Sequence, residues 1–93
     1  MYIGYPLVIS DYVADKIFTK HKVSVSEVED SIRLPVCYVR KGRGKELYEI
    51  LTHSPLGNYL FIVIKNIKGI QYKLITARPM SKDERKYYEK KRP

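Results

Sequence analysis

Near Pro35 the hydrophobic period of this chain changes from about 3.6 residues to 2, and that change constrains the fold more than any other feature. Behind it come four strand-like runs separated by connectors too short for anything but hairpins. Residues 35–41 (PVCYVRK) read as a strand, and Lys41-Gly-Arg-Gly-Lys45 as a turn with two glycines. Residues 46–54 (ELYEILTHS) alternate, and Pro55–Asn58 turns the chain. Residues 59–66 (YLFIVIKN) are a continuous apolar run suited to a central strand. Lys68-Gly69 then turns into residues 70–78 (IQYKLITAR), where Pro79, which cannot donate to a ladder, ends the last strand. Short hairpin loops throughout predict a four-stranded antiparallel meander.

Ahead of Pro35 the pattern is helical. Residues 5–10 (YPLVIS) suit a short strand or an extended lead-in. Ser10 or Asp11 then caps a helix running to about Lys20, with Ala14, Ile17, Phe18 and His21 on one stripe. Ser24 and Glu27 have the spacing of a capping box, followed by an apolar stripe of Val25, Val28 and Ile32. Pro35 closes this section. At the other end, residues 80–92 carry a second capping box, Ser81 with Glu84. Acids in the first turn of that segment and Lys90, Lys91 and Arg92 in its last turn complement the helix macrodipole. Only Tyr87 and Tyr88 are available to pack it, so it is expected to be a surface helix. The element order α-α-β-β-β-β-α is α+β, with the helices expected against one face of a curved sheet.

The 93 residues suit a single domain, 1–93. A chain of this size buries roughly 60–65% of its unfolded surface, which disfavours a deep pocket for a large cofactor. No run approaches the ~18–20 apolar residues of a membrane span. The opening segment reads as a poor signal peptide, and the lone Cys37 has no internal disulfide partner, so a cytoplasmic setting is expected. Flanked by apolar residues, Cys37 is expected to be buried and inert.

Charge narrows the function. Residues 1–32 hold three lysines against five acids, a net −2, whereas residues 33–93 hold fifteen Lys and Arg against five acids, a net +10. A polyanion would dock on the second part. An acidic membrane or protein would also fit, but nine Tyr beside Gly-spaced Arg and Lys add stacking to charge, which favours RNA. Lys22, Lys41, Arg43, Lys45, Arg85 and Lys86 are the expected RNA contacts.

One Cys and two distant His make no zinc pattern, the glycines lack phosphate-loop spacing, and no nucleophile elbow is present. No cofactor or metal is expected. RNA cleavage without a metal needs a base for the 2′-OH, cations for the phosphorane and an acid for the 5′-oxygen. His21, Arg40, His53, Arg78, Glu84 and Tyr88 are the candidate catalytic residues. Each also has a structural reading: His21 ends a helix, Glu84 caps one, Tyr88 packs, and strand-end arginines are often solvated.

The segment KHKVSVSEVEDSI, the meander behind it and the junction ITARPMSKDERKYYE together resemble the BrnT-type ribonuclease toxins of bacterial type II toxin–antitoxin systems. Those toxins are compact relatives of the RelE-like fold. The resemblance runs from about Asp11 to Arg92 and implies a metal-independent endoribonuclease that slows translation and is neutralised by a small cognate antitoxin. By position, His21 falls on the helix-end histidine of the family and Arg78 on the arginine closing the last strand. Glu84, Arg85 and Tyr88 fall on the last-helix pattern. Met1–Ser10 departs from the usual short acidic-aromatic start, and His53 stands where such toxins often carry another polar or basic residue. A non-catalytic basic RNA- or DNA-binding module is the competing expectation.

Overall fold

A computed structural model describes residues 7–32, 38–69 and 71–91. The order is α1 (Asp11–His21), α2 (Val25–Ile32), β1 (Tyr38–Lys41), β2 (Leu47–His53), β3 (Tyr59–Lys68), β4 (Gln71–Pro79) and α3 (Lys82–Lys91). The four strands form one antiparallel sheet in the order β1-β2-β3-β4, so the fold is α+β around a meander. Residues 1–6, Pro35, Cys37 and Arg92 lie outside the described residues.

The N-terminal helices form where side chains satisfy their free amides. The Ser10 hydroxyl accepts from the Val13 amide at 3.2 Å and fixes the start of α1. Lys22 ends it in the left-handed conformation (φ 57°), its amide reaching back to the Phe18 carbonyl. In α2 the Ser24 hydroxyl accepts from the Glu27 amide at 3.1 Å, but the box stays half closed. Glu27 instead accepts from the Asn58 side-chain amide at 2.7 Å and so ties α2 to the β2–β3 turn. The lead-in continues as extended chain at the β4 edge, where Val8 bridges Lys73 in parallel.

The stripe expected on α1 is only partly used. Ile17 is buried and Val13 packs beside it, but Phe18 is 57% exposed, with the Lys22 ammonium 5.9 Å from its ring. α1 packs against β4, and Phe18 is not among the residues it contributes to the core.

The expectation of helices on one face also fails. Consecutive strand residues point to opposite faces. Ile50, Leu60, Ile62, Ile64, Leu74 and Ala77 join Ile17, Val23, Val28 and Ile32 of the α1–α2 layer. Their neighbours Leu51 and Phe61 join Tyr88 in a second core, so α3 covers the opposite face. The apolar run of β3 explains why: with Leu60, Ile62 and Ile64 on one side and Tyr59, Phe61 and Val63 on the other, both sides need a cover. α3 is otherwise the surface helix expected from its composition, with Tyr88 its one buried residue.

A bulge in β4 sets which residues face α3. Ile64 pairs with Leu74 but Val63 with Thr76, leaving Ile75 as an extra residue. Side-chain phase therefore flips within β4. Leu74 and Ala77 both face the α1–α2 core, while Arg78, opposite Phe61, faces α3.

Among the turns, Gly57 and Gly69 take positive φ (88° and 58°). The β1–β2 loop works differently: there Glu46 holds the positive φ (62°), and Gly44 lies against the Leu47 side chain. A Cβ on Gly44 would stand 2.5 Å from Leu47 Cδ1. Among the described residues no helix is long and apolar enough to cross a membrane.

Candidate functional site

The α3 face gathers most of the candidate catalytic residues. Register explains it: Arg40 opposes Glu49, Tyr38 opposes Leu51, His53 opposes Tyr59, and Phe61 opposes Arg78. α3 then lays Glu84, Tyr87 and Tyr88 across these side chains. Arg40, His53, Arg78, Glu84 and Tyr88 thus share one surface, with Arg85 beside them.

Its most ordered part is the junction of β4 and α3. Here the capping box is complete, with the Ser81 amide donating to Glu84 Oε1 at 2.8 Å and the Glu84 amide to the Ser81 hydroxyl at 3.2 Å. Arg78 grips the same carboxylate as a fork, Nη1 to Oε1 and Nη2 to Oε2, both at 2.8 Å. Its guanidinium also covers the Phe61 ring, 4.2 Å from the centroid. The Arg78 fork, helped by the Ser81 amide, holds the Glu84 carboxyl below its ordinary pKa against the upward pull of burial. Glu84 bonding in turn raises Arg78. Both roles considered for Glu84, cap and partner in the site, fall on one carboxylate.

Next to it lies a histidine–tyrosine cluster. His53 Nδ1 is 2.8 Å from the Tyr88 hydroxyl, whose ring is fully buried. Tyr59 completes the group, 5.8 Å from Tyr88 and 6.3 Å from His53 between ring centroids. Tyr59 donates its hydroxyl to Glu89, and the exposed Arg85 stacks over its ring at 4.1 Å.

Toward β1 a third group forms. Arg40 Nε donates to Glu49 Oε1 at 2.8 Å and stands 5.0 Å over Tyr87. Burial pulls the Arg40 pKa down, and Glu49 and Tyr87 lift it above its ordinary value. The Tyr38 and Tyr87 hydroxyls are 3.2 Å apart. That bond lowers the Tyr87 phenol, as do Arg40 and Lys91, and raises Tyr38.

His21 is not part of this surface. It lines a cleft of about 430 Å³ where the α1–α2 corner meets the β2–β3 turn and the β4–α3 junction. Lys22, Tyr59 and Arg85 share its rim, so Tyr59 and Arg85 belong to both places. Lys86 lies on the outer side of α3 with Lys82 and Lys90. Lys41, Arg43 and Lys45 are the most distant: their loop leaves the end of β2 opposite His53, about 20 Å along the strand. Lys41 there covers the Tyr48 ring at 4.9 Å. Among the described residues no group of three or more His, Cys, Asp and Glu could hold a metal ion.

Sequence reasoning missed Tyr38, Glu49, Tyr59 and Glu89, and gave Tyr87 a packing role alone. The Pro55–Asn58 turn alone would set Tyr59 across from Ser54; the connection is the five residues Ser54–Asn58, which sets it across from His53. Tyr38 and Glu49 needed the β1–β2 register, and Glu89 needed the face of α3. No family model and no curated protein matches the chain.

Proposed function

We propose that this chain is a cytoplasmic endoribonuclease that cuts RNA by attack of the 2′-OH, without a metal ion in the step. The observation that carries the reading is His53 anchored on buried Tyr88, with exposed Arg85 stacked on the adjoining Tyr59. It supplies a proton-transfer group beside a cation that a phosphate can reach. With Nδ1 donating to the Tyr88 oxygen, Nε2 carries the lone pair and removes the 2′-OH proton. The 2′-oxygen attacks phosphorus, the bond to the 5′-oxygen breaks, and that oxygen takes a proton, in this reading from His21. The products are a 2′,3′-cyclic phosphate and a 5′-hydroxyl.

Arg85 offsets the charge of the phosphorane. Arg78 and Arg40, the first candidates for that role, each already hold a carboxylate; in this reading they shape the surface and add to its field. Tyr88 is a positioning residue, since its only way to the substrate is through His53. Lys22, Lys41, Arg43, Lys45 and Lys86 guide the RNA backbone. The resemblance to BrnT-type and RelE-like toxins supports a toxin that inhibits translation and has a small antitoxin partner.

The pairing of Arg40 and Arg78 with carboxylates favours a second reading, a basic RNA-binding module that does not cut. Purified protein decides between them on an RNA and on the same RNA with deoxyribose at the scissile position. The expected result is cleavage of the first only, lost in His53→Ala. Equal cleavage of both rules out 2′-OH attack, and binding without cleavage of either selects the module. Growth arrest on expression, relieved by co-expressing the neighbouring small reading frame, tests the toxin assignment.

A further inference from the structure

We propose that the cleft below Arg85 is a subsite for a guanine base of the RNA. Val23, Leu60, Pro79 and Met80 line one part of it, while most of the surface it exposes is polar, as suits a base read by its edge. At about 430 Å³ it lies within the ~300–1,000 Å³ of small-molecule pockets. Its polar wall is the Glu27–Asn58 pair, joined at 2.7 Å from the Asn58 amide nitrogen to Glu27 Oε2.

That bond decides the base. Asn58 directs a donor at Glu27, so the capacity left on the pair is weighted to acceptors: the rest of the carboxylate and the amide oxygen. Guanine alone presents two adjacent donors, N1–H and the 2-amino group, on its Watson–Crick edge. Adenine and cytosine each set a ring-nitrogen acceptor beside their one amino donor, facing the carboxylate with like polarity. Uracil has a single donor between two carbonyls. The rim adds Lys22, Arg85 and Tyr59 for the attached phosphate and ribose. With the base in the cleft, the guanosine 3′-phosphate falls at Arg85 beside His53, so cutting follows guanosine. That last step rests on the ribonuclease reading; the subsite itself does not.

The test is a titration of the full chain with GMP, IMP and AMP, followed by amide chemical shifts. GMP should bind about ten-fold tighter than AMP, the discrimination expected of one good bidentate pairing. IMP, which keeps N1–H and lacks the 2-amino group, should fall between them, with shifts centred on Val23, Glu27 and Asn58. Glu27→Gln keeps an acceptor for Asn58 and should cost GMP about ten-fold while leaving AMP unchanged. Equal affinities for GMP and AMP, shifts mapping elsewhere, or no GMP shift at millimolar concentration overturn the proposal. Cleavage separates the two readings. GMP bound in the cleft while RNA stays intact removes the ribonuclease alone; RNA cut with GMP and AMP bound alike removes the guanine subsite alone.

Discussion

The Tyr88 hydroxyl sits 2.8 Å from His53 Nδ1 at the top of a ring that is wholly buried between α3 and the sheet. One side chain therefore both fastens the helix and orients the histidine. Tyr88→Phe separates the two. It keeps the ring and should cost about 1 kcal/mol, the usual worth of one hydrogen bond. Under the ribonuclease reading the turnover rate falls ten-fold or more while RNA affinity holds, because His53 Nε2 loses its fixed tautomer. Tyr88→Ala empties a buried aromatic site and should cost about 3–5 kcal/mol. Thermal melts with cleavage kinetics check both, and full activity in Tyr88→Phe would remove the positioning role.

Glu84 makes the junction sensitive to acid. Its carboxyl is held below the ordinary value chiefly by the Arg78 fork, so the folded pKa lies under the unfolded one. The associated stability is then complete above the unfolded value and lost as pH falls through the folded one. Melting temperature should drop as pH goes below about 4, where glutamates titrate. Glu84→Gln should flatten part of that drop while lowering stability near neutral pH by about 1–2 kcal/mol, through loss of the charged fork. Circular-dichroism melts across the acid range measure it; parallel curves for both proteins would refute it.

The β1–β2 loop is expected to hold RNA without touching the chemistry. Lys41, Arg43 and Lys45 stand at the end of β2 opposite His53. Replacing Arg43 and Lys45 with Ala should weaken RNA binding and reduce the salt slope by about 0.7 for each phosphate no longer neutralised. Turnover at saturating RNA should stay within two-fold. An unchanged salt slope would show that the loop does not meet RNA.

The sequence made the strands and turns legible because each apolar run ended at Gly, Pro or Asn, and it made α3 legible through Ser81 and Glu84. What it hid were relations between elements. The run Tyr59–Lys68 announced a buried strand, but a strand apolar on both sides also requires covers on both sides, and that inference places α3 opposite α1. Glu27 had capping-box spacing as good as that of Glu84, yet only Glu84 closes its box, since Asn58 competes for Glu27 from across the turn. His53 and Arg78 were visible as strand-end residues. Their meeting with Tyr88 and Glu84 depended on register, which for Arg78 a single unpaired residue in β4 controls.

That residue is Ile75, and its removal tests the architecture most directly. With Ile75 present, Leu74 and Ala77 both face the α1–α2 core and Arg78 faces Glu84. Deleting it joins Leu74 to Thr76 opposite the consecutive residues Ile64 and Val63, so the ladder closes in strict alternation and Leu74, Ala77 and Arg78 keep their present faces. The deletion should therefore keep a cooperative melt near neutral pH. Ile75→Val, which keeps the residue count, should stay within about 1.5 kcal/mol of the parent. Loss of the cooperative melt in the deletion would mean that Ile75 does more than fill the bulge.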